Sequence, residues 1–501
     1  MEGTFWAIVP TLIAVVFALI TKNVFVSLFL GILTGAMLIA GGNPIVALNE
    51  LFSIMANKMG ADIIVSDGGT RISGLGNAGI LIFILELGIL VALMNKAGGT
   101  AAFGSFIMRR IKSKKSALLS TTGLGCLIFM DDYFNRLAVG TIMRPATDKF
   151  GISRIKLAYI IGSVSVSICI LVPISSWASA ITGNIGEGLS ESANAFNLYL
   201  DTLLCNFYPI LTLIFLFISP IFNIEPIGMK NIKVVSADNS TSDTTIDTKG
   251  KAYDLILPIL ALIVLSLVFM IFSDYTSETY LVMSGAITIL FCLVLYLPRK
   301  IMSLKEFTEC FSSGFKTVVD VIIILVFAWT LTGVCERLGV GMFIKNLTSS
   351  MGSAQSLLPA ILFVAAMGTA FSTGTAWGTF GMLVPLTVPM FDAFSTLQIL
   401  SIAAVLSGSV FGNQVSPISD STLLASNVCE CDHMQFIKAQ LPSALLIATI
   451  AFCGFLVAGV TQQIWAGWIV SVVLFATLVA ISAAKKRTRM PKSTIIAETI
   501  K

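Results

Sequence analysis

The chain has 501 residues, of which 56% are hydrophobic and 12% are charged. Soluble domains carry about 25% charged residues, so this composition is typical of a membrane protein and excludes a string of soluble domains. The formal net charge of +4 comes from short basic clusters of the kind found in cytoplasmic loops, so we expect no nucleic-acid partner; nor does any motif predict an enzyme.

Apolar runs long enough to cross about 30 Å of hydrocarbon recur along the chain. They predict eleven spans, near residues 5–20, 24–42, 79–97, 157–180, 196–221, 253–272, 280–297, 315–334, 396–420, 439–460 and 464–483. Two further apolar stretches, 116–147 and 356–393, are interrupted by polar or glycine residues and predict re-entrant hairpins. The sequence therefore predicts an all-α polytopic protein of the bacterial inner (plasma) membrane, surrounded by lipid.

Basic residues predict the orientation of these spans. They stand on both sides of the first hairpin, at Arg109–Lys115 before it and Lys149–Lys156 after it. Both ends of that hairpin are therefore expected in the cytoplasm. The basic segment Lys485–Arg489 predicts a cytoplasmic C-terminus, and the acidic loop with Glu187 and Glu191 is expected outside.

The two halves of the chain resemble each other. Four matched segments begin at Met94 and Cys335, Phe129 and Phe371, Pro145 and Pro385, and Pro173 and Pro417. Five spans and a hairpin per unit would turn the second unit upside down, which is the usual construction of secondary transporters. We expect a first inverted repeat at 1–222, a polar cytoplasmic linker at 223–252, a second repeat at 253–460, and a final span with a basic tail at 461–501.

Irregular backbone at membrane depth must be buried in protein or line a wet cavity. The sequence predicts four such places: the two hairpin tips and two proline-containing breaks, around Pro173 and Pro417. Proline frees a backbone carbonyl, and nearby hydroxyl and amide oxygens add hard ligands suited to a small cation such as sodium. Coupling ions and substrates bind at such broken helices.

Intramembrane acidic residues are costly, at about 2.5 to 3.5 kcal/mol each on insertion scales. Asp131, Asp132 and Asp420 stand at the predicted breaks and are candidate cation ligands; the alternative is that they cap half-helices. Glu86 and Asp320 interrupt apolar spans and are candidate proton carriers, or polar contacts between helices.

Other conspicuous side chains have ordinary interpretations. Arg136 and Arg144 are expected to pair with Asp132 or Asp148, although contact with a substrate carboxylate is the alternative. Trp177 and Trp377 pack over a substrate or over other side chains. The segment Cys429–His433 cannot complete a tetrahedral metal site alone, so we expect no metal beyond sodium and no other cofactor.

Several longer motifs resemble the NhaC family of bacterial sodium/proton antiporters. They are Asp131–Asn135, Met143–Asp148, Ile152–Ile160, Pro173–Trp177, Gly374–Phe380, Ser416–Asp420 and Cys431–His433. The resemblance implies sodium-linked transport by a mobile domain, with two hairpins, against a scaffold. Carried over by position, the cation-binding candidates are Asp131, Asp132, Asn135, Ser175, Ser176, Thr373, Thr375, Ser416, Ser419, Asp420 and Thr422.

Two departures from the family pattern leave the cargo open. Similar chains often have an acidic residue at Gly162 and an Asp-His pair at Asn413–Gln414, so this chain has fewer groups for proton exchange. Amides suit a small organic solute such as an amino acid or a carboxylate, with binding candidates Asn135, Trp177, Thr375, Trp377, Asn413 and Gln414. We therefore expect exchange of sodium against protons, or its coupling to an organic solute. A channel or a receptor is the alternative, and a homodimer is left open.

Overall fold

The computed structural model describes residues 4–21, 23–60, 62–66, 69–189, 194–229, 250–272, 277–340, 342–343, 346 and 350–487. The first half contains α1 (Val9–Thr21), α2 (Val24–Ile39), α3 (Pro44–Lys58), α4 (Gly76–Lys96), α5 (Gly99–Met108), α6 (Lys114–Leu127), α7 (Asp132–Lys149), α8 (Arg154–Cys169), α9 (Ser176–Gly186), α10 (Ala195–Leu203) and α11 (Phe207–Ile221). Short 3₁₀ helices occupy Phe5–Ala7 and Ile227–Met229.

The second half contains α12 (Tyr253–Phe272), α13 (Ser277–Tyr296), α14 (Leu304–Arg337), α15 (Leu358–Thr373), α16 (Ala376–Thr387), α17 (Thr396–Val415), α18 (Asp420–Val428), α19 (His433–Thr461) and α20 (Ile464–Arg487). Two 3₁₀ helices, Gly352–Leu357 and Val388–Met390, precede α15 and follow α16. The central part of the expected linker, 230–249, lies outside the described residues.

One antiparallel hairpin departs from the all-α prediction. Strands β1 (Asp62–Ser66) and β2 (Gly69–Gly74) pair between α3 and α4. This segment is not an apolar run of membrane length, so no element was predicted there. Outside this hairpin the regular elements of the described chain are helices.

Length and composition support part of the predicted set of eleven spans. Within the described residues, seven helices are long and apolar enough to cross a membrane, or up to nine if each bent pair is one span. The predicted spans near 5–20 and 253–272 correspond to the apolar helices α1 and α12, and the one near 157–180 is divided into α8 and α9. Pro173 lies in that break, because proline cannot donate the backbone hydrogen bond that a continuous helix needs.

Helices not predicted as separate elements also appear. The chain turns by 117° between α2 and α3, and by 43° between α10 and α11. Asn43 accepts from the backbone N–H groups of Ile45 and Val46, which starts α3 at Pro44 immediately after the turn. The short helix α5 follows α4 directly and packs on α7 and α12.

The interior is built around the contact between α4 and α14. A Cβ at Gly88 would lie 2.6 Å from the Gly314 carbonyl oxygen, so the two backbones approach as closely as glycine allows. Helix α2 packs on α14, and α13 packs on α4. Each half thus packs one of its helices on the central helix of the other half, as an inverted repeat would. The repeat itself stays a prediction.

Candidate functional site

Both predicted hairpins are helices broken in the middle. In the first, α6 and α7 are separated by residues 128–131; in the second, α15 and α16 are separated by Gly374 and Thr375. The two proline-containing breaks lie between α8 and α9 and between α17 and α18. The positions of all four breaks are confirmed, whereas the re-entrant course of the hairpins stays a prediction.

Each hairpin tip contacts the proline-containing break of its own half. In the first half, the Ser176 backbone N–H donates to the Met130 carbonyl at 3.0 Å, and the Cys169 thiol donates to the Phe129 carbonyl at 3.1 Å. In the second half, the Ser416 hydroxyl donates to the Phe371 carbonyl at 2.6 Å. Carbonyls that the broken helices leave unpaired are satisfied across these contacts.

The two halves then meet at their helix N-termini. Helices α7 and α18 run in the same direction, from Asp132 beside Ser421 (3.5 Å between Oδ2 and Oγ) to Gly140 beside Val428. Helices α9 and α16 also run in the same direction, beginning where the rings of Trp177 and Trp377 lie 5.5 Å apart. The N-termini of α7, α9, α16 and α18 therefore converge on one region of the interior.

Asp131 begins α7. Its carboxylate accepts from the Phe134 N–H at 3.0 Å, and the Ser176 hydroxyl donates to its other oxygen at 3.4 Å. Only 9% of the residue is exposed. Asp131 therefore caps a helix, which was the alternative to cation binding. Its second carboxylate oxygen faces the start of α9.

Asp132 is fully buried and bridges three helices. It accepts from the Trp177 indole at 3.1 Å, from the Arg136 guanidinium at 2.6 Å and, at 3.5 Å, from the Ser421 hydroxyl. The expected pairing of Arg136 is thus confirmed. Arg144 instead pairs with Glu430 at 2.7 Å, so its predicted partners were wrong.

Asn135 closes the first hairpin tip. Its amide donates to the carbonyls of Gly125 and Ile128, at 2.6 Å and 2.7 Å, at the C-terminal end of α6. Its Oδ1 is buried and has no hydrogen-bond partner among the described residues. A buried oxygen acceptor beside a carboxylate-bearing helix start is a suitable ligand for a hard cation.

The second-half candidates form a matching hydroxyl cluster. The Asn413 amide donates to Ser421 at 3.3 Å and accepts from Ser419 at 2.7 Å. The Thr422 hydroxyl donates to the carbonyls of Ser416 and Ser419, at 2.8 Å and 2.9 Å.

Asp420 and the second hairpin tip complete this half of the region. Asp420 is the first residue of α18, and its side chain lies outside the described part of the structure. Thr373 donates to the Thr369 carbonyl at 2.9 Å, and Thr375 caps α16. In the first half, Ser175 caps α9 in the same way.

Gln414 is directed away from its neighbour Asn413. It accepts from the Tyr208 hydroxyl at 2.8 Å, and its amide donates to Ser163 at 2.7 Å. The Gln440 amide donates to its backbone carbonyl at 2.8 Å. This network joins α17 to α8, α11 and α19, so the side chain of Gln414 has partners outside the region where the helix starts converge.

The two candidate proton carriers lie on the central helix pair. Glu86 of α4 is buried against Gly285 of α13, with Oε2 unpartnered among the described residues. Asp320 is exposed on α14. No hydrogen bond joins either carboxylate to the hairpin tips within the described chain.

His433, considered in the sequence only as part of the segment Cys429–His433, lies beside the second proline-containing break. One ring nitrogen lies 2.8 Å from the Pro417 carbonyl oxygen, and the other lies 3.1 Å from the Ser426 hydroxyl. No group of three metal-ligand side chains is present in the described part of the chain. The position of His433 depends on how α18 folds back on α19, which spacing along the chain does not reveal.

Two cavities flank the convergence region. The larger, of about 640 Å³, lies between α4 and α14 on one side and Tyr133, Phe134 and Leu137 of α7 on the other. Its mouth contains Lys96 and Glu306, at the end of the molecule predicted to face the cytoplasm. The smaller, of about 190 Å³, lies between α14 and α16 beside Glu187, at the opposite end.

Comparison with known proteins agrees with this architecture. Residues 168–460 match the model of the Na+/H+ antiporter family. An uncharacterized protein of Haemophilus influenzae is 33% identical over 97% of this chain and 96% of its own length. A Bacillus subtilis malate-2H+/Na+-lactate antiporter is 27% identical over 41% of this chain and 43% of its own length. The solved structure of MtrF from Neisseria gonorrhoeae, described among antimetabolite efflux pumps, superposes with a TM-score of 0.59 at 15% identity, covering 84% of this chain and 85% of that one.

Proposed function

The chain belongs to the Na+/H+ antiporter family, and on that premise we propose that it is a sodium-coupled secondary transporter that works by alternating access. The region where the four helix starts converge is its binding site. It lies between a crevice at one end of the molecule and a small cavity at the opposite end, as a site reached alternately from two sides would.

Sodium would bind at the first hairpin tip. Asp131 contributes a carboxylate and Asn135 a buried Oδ1. These are hard oxygen donors of the type that sodium prefers. The hydroxyl cluster of Ser419, Ser421 and Thr422 offers a second set of oxygens in the other half.

The convergence of four helix N-termini carries the proposal on cargo. Each N-terminus has a positive partial charge, which acidic residues offset at α7 and α18 (Asp131, Asp132 and Asp420). Helices α9 and α16 have no acidic residue in their first turns, so their positive ends are left to face a ligand. Such an arrangement attracts the carboxylate of a small solute, and a sodium ion at the adjacent tip would strengthen the attraction. We therefore favour coupled movement of sodium and a small carboxylate or amino acid over plain sodium/proton exchange.

The name of the Bacillus subtilis relative supports testing malate and lactate first. The protein would be reconstituted into sealed liposomes and supplied with a sodium gradient, a proton gradient, or both. Uptake of a panel of small carboxylates and amino acids would then be measured in sodium and in choline buffer. We expect uptake of at least one carboxylate-containing solute in sodium and little uptake in choline.

Two outcomes would contradict parts of this proposal. Equal transport in sodium and choline would exclude sodium coupling. Robust and saturable sodium-driven proton efflux in the absence of any organic solute would exclude the solute and establish the plain antiporter, for which Glu86 and Asp320 remain the candidate proton carriers.

A further inference from the structure

An ion cluster closes the small cavity at the end of the molecule opposite the large crevice. Lys58, the last residue of α3, pairs with Glu187 at the end of α9 and with Glu336 in the last turn of α14, the latter at 2.8 Å. Asn77 of α4 donates to the Glu187 carboxylate at 2.6 Å and to the Lys58 carbonyl at 2.8 Å. Side chains from four helices therefore meet at this point.

The cluster lies directly over a space that could admit solvent. Glu187 and Glu336 both line the cavity of about 190 Å³, together with Thr11 and Cys335. The Glu187 side chain is only 7% exposed and that of Lys58 is 22% exposed. The Glu336 side chain is 44% exposed, so the contact between Lys58 and the buried Glu187 is the one whose separation is most costly.

The same cluster joins parts of the fold that would have to separate for the cavity to open. Glu187 ends α9, whose first residues contact Asp131 and Asp132. Lys58 and Glu336 belong instead to α3 and α14, which pack on each other and on α2. At the other end of the molecule, α7 is separated from α4 and α14 by the crevice of about 640 Å³.

We propose that Lys58, Glu187, Glu336 and Asn77 form the external gate of the transport pathway. The gate is closed here while the opposite crevice is open, and it must break when the binding site turns to the outside. This proposal rests on the proposed function, because a gate has a role only in a protein that moves its cargo across the membrane. It predicts that weakening the cluster exposes the small cavity and shifts the protein away from the crevice-open arrangement.

One native and one introduced cysteine report on the two cavities. Cys335 lines the small cavity beneath the gate. Cys310 in the large crevice is only 4% exposed, so Ser313→Cys is used to place an exposed thiol on the crevice wall. Membrane-impermeant maleimide would be applied from each side of sealed vesicles, and labelling of each cysteine would be read by peptide mass spectrometry. With the gate intact we expect labelling at position 313 from the crevice side and protection of Cys335.

Lys58→Ala and Glu187→Gln each remove one partner from the gate. We expect about a tenfold rise in external labelling of Cys335 in both variants, with a fall in labelling at position 313. The exchanged pair Lys58→Glu with Glu187→Lys restores opposite charges and should restore protection. Glu50→Gln is the matched control, because Glu50 pairs with Arg337 between α3 and α14 without involving α9.

The results separate the gate from the transport function. Continued protection of Cys335 in both single variants of a protein that transports its cargo would overturn the gate alone. Equal exposure of Cys335 in Glu50→Gln would also overturn it, since general loosening would then be the cause. Absence of transport by the unmodified protein in liposomes would count against the proposed function whatever the labelling pattern.

Discussion

At the scale of single residues, two neighbouring aspartates have different surroundings. Asp131 caps a helix and keeps one oxygen near Ser176, whereas Asp132 is enclosed by Arg136, Trp177 and Ser421. The sequence placed both together as cation ligands. Their contacts indicate that Asp131 is the better candidate for sodium and that Asp132 compensates a buried arginine.

Asp131→Asn tests the first role. Asparagine caps a helix as well as aspartate does, so the change removes the charge and keeps the cap. We expect at least a tenfold loss of apparent sodium affinity in liposomes, with little change in the temperature of unfolding in detergent. Asp432→Asn is the matched control, because Asp432 caps α19 through the Gln435 N–H. Sodium affinity equal to that of the unmodified protein would leave Asp131 with a capping role only.

Asp132→Asn tests the second role. It leaves the Arg136 guanidinium buried without a counter-charge, which costs about 3 to 5 kcal/mol. We expect a clear fall in unfolding temperature for this variant and recovery of much of the loss in Asp132→Asn with Arg136→Gln. A double variant less stable than the single one would contradict a simple compensating pair.

At the scale of elements, the second hairpin tip depends on one glycine. Gly374 ends α15 with φ of +74°, and a Cβ there would lie 2.8 Å from the Ile418 carbonyl oxygen. The residue combines a left-handed conformation with contact to the proline-containing break. Gly352 has φ of +53° but nothing within 4 Å of its Cβ position.

Gly374→Ala should therefore separate the tip from the break, and Gly352→Ala should not. Both changes carry a backbone cost of about 1 kcal/mol, because alanine rarely adopts positive φ. We expect transport to be lost or reduced at least tenfold in Gly374→Ala and to remain near normal in Gly352→Ala. Equal transport by the two variants would show that the contact between Gly374 and Ile418 is dispensable.

At the scale of the whole molecule, an inverted repeat predicts that the first hairpin does not cross the membrane. Lys112→Cys and Arg154→Cys flank α6 and α7, and both should react with an impermeant thiol reagent from the cytoplasmic side. Labelling of the two positions from opposite faces would contradict the hairpin and the inverted repeat together. The native protein supplies the background labelling of its own cysteines for subtraction.

The sequence by itself determined the membrane class, the family and the four breaks. These follow from long apolar runs, from motifs several residues long, and from proline, glycine and aspartate, whose effects on a helix are local. The bends after α2 and α10 and the β-hairpin could not be derived that way. They depend on packing between helices, which apolar length alone does not encode.

Only the tertiary structure decided which polar residues act together. Asn413 and Gln414 are adjacent in sequence, yet one contacts Ser419 and Ser421 while the other bonds to Tyr208 and Ser163. Lys58 and Glu187 are far apart in sequence and meet at one end of the molecule. A helix directs successive side chains to different faces, so long-range polar contacts are fixed by how the helices cross and not by spacing along the chain.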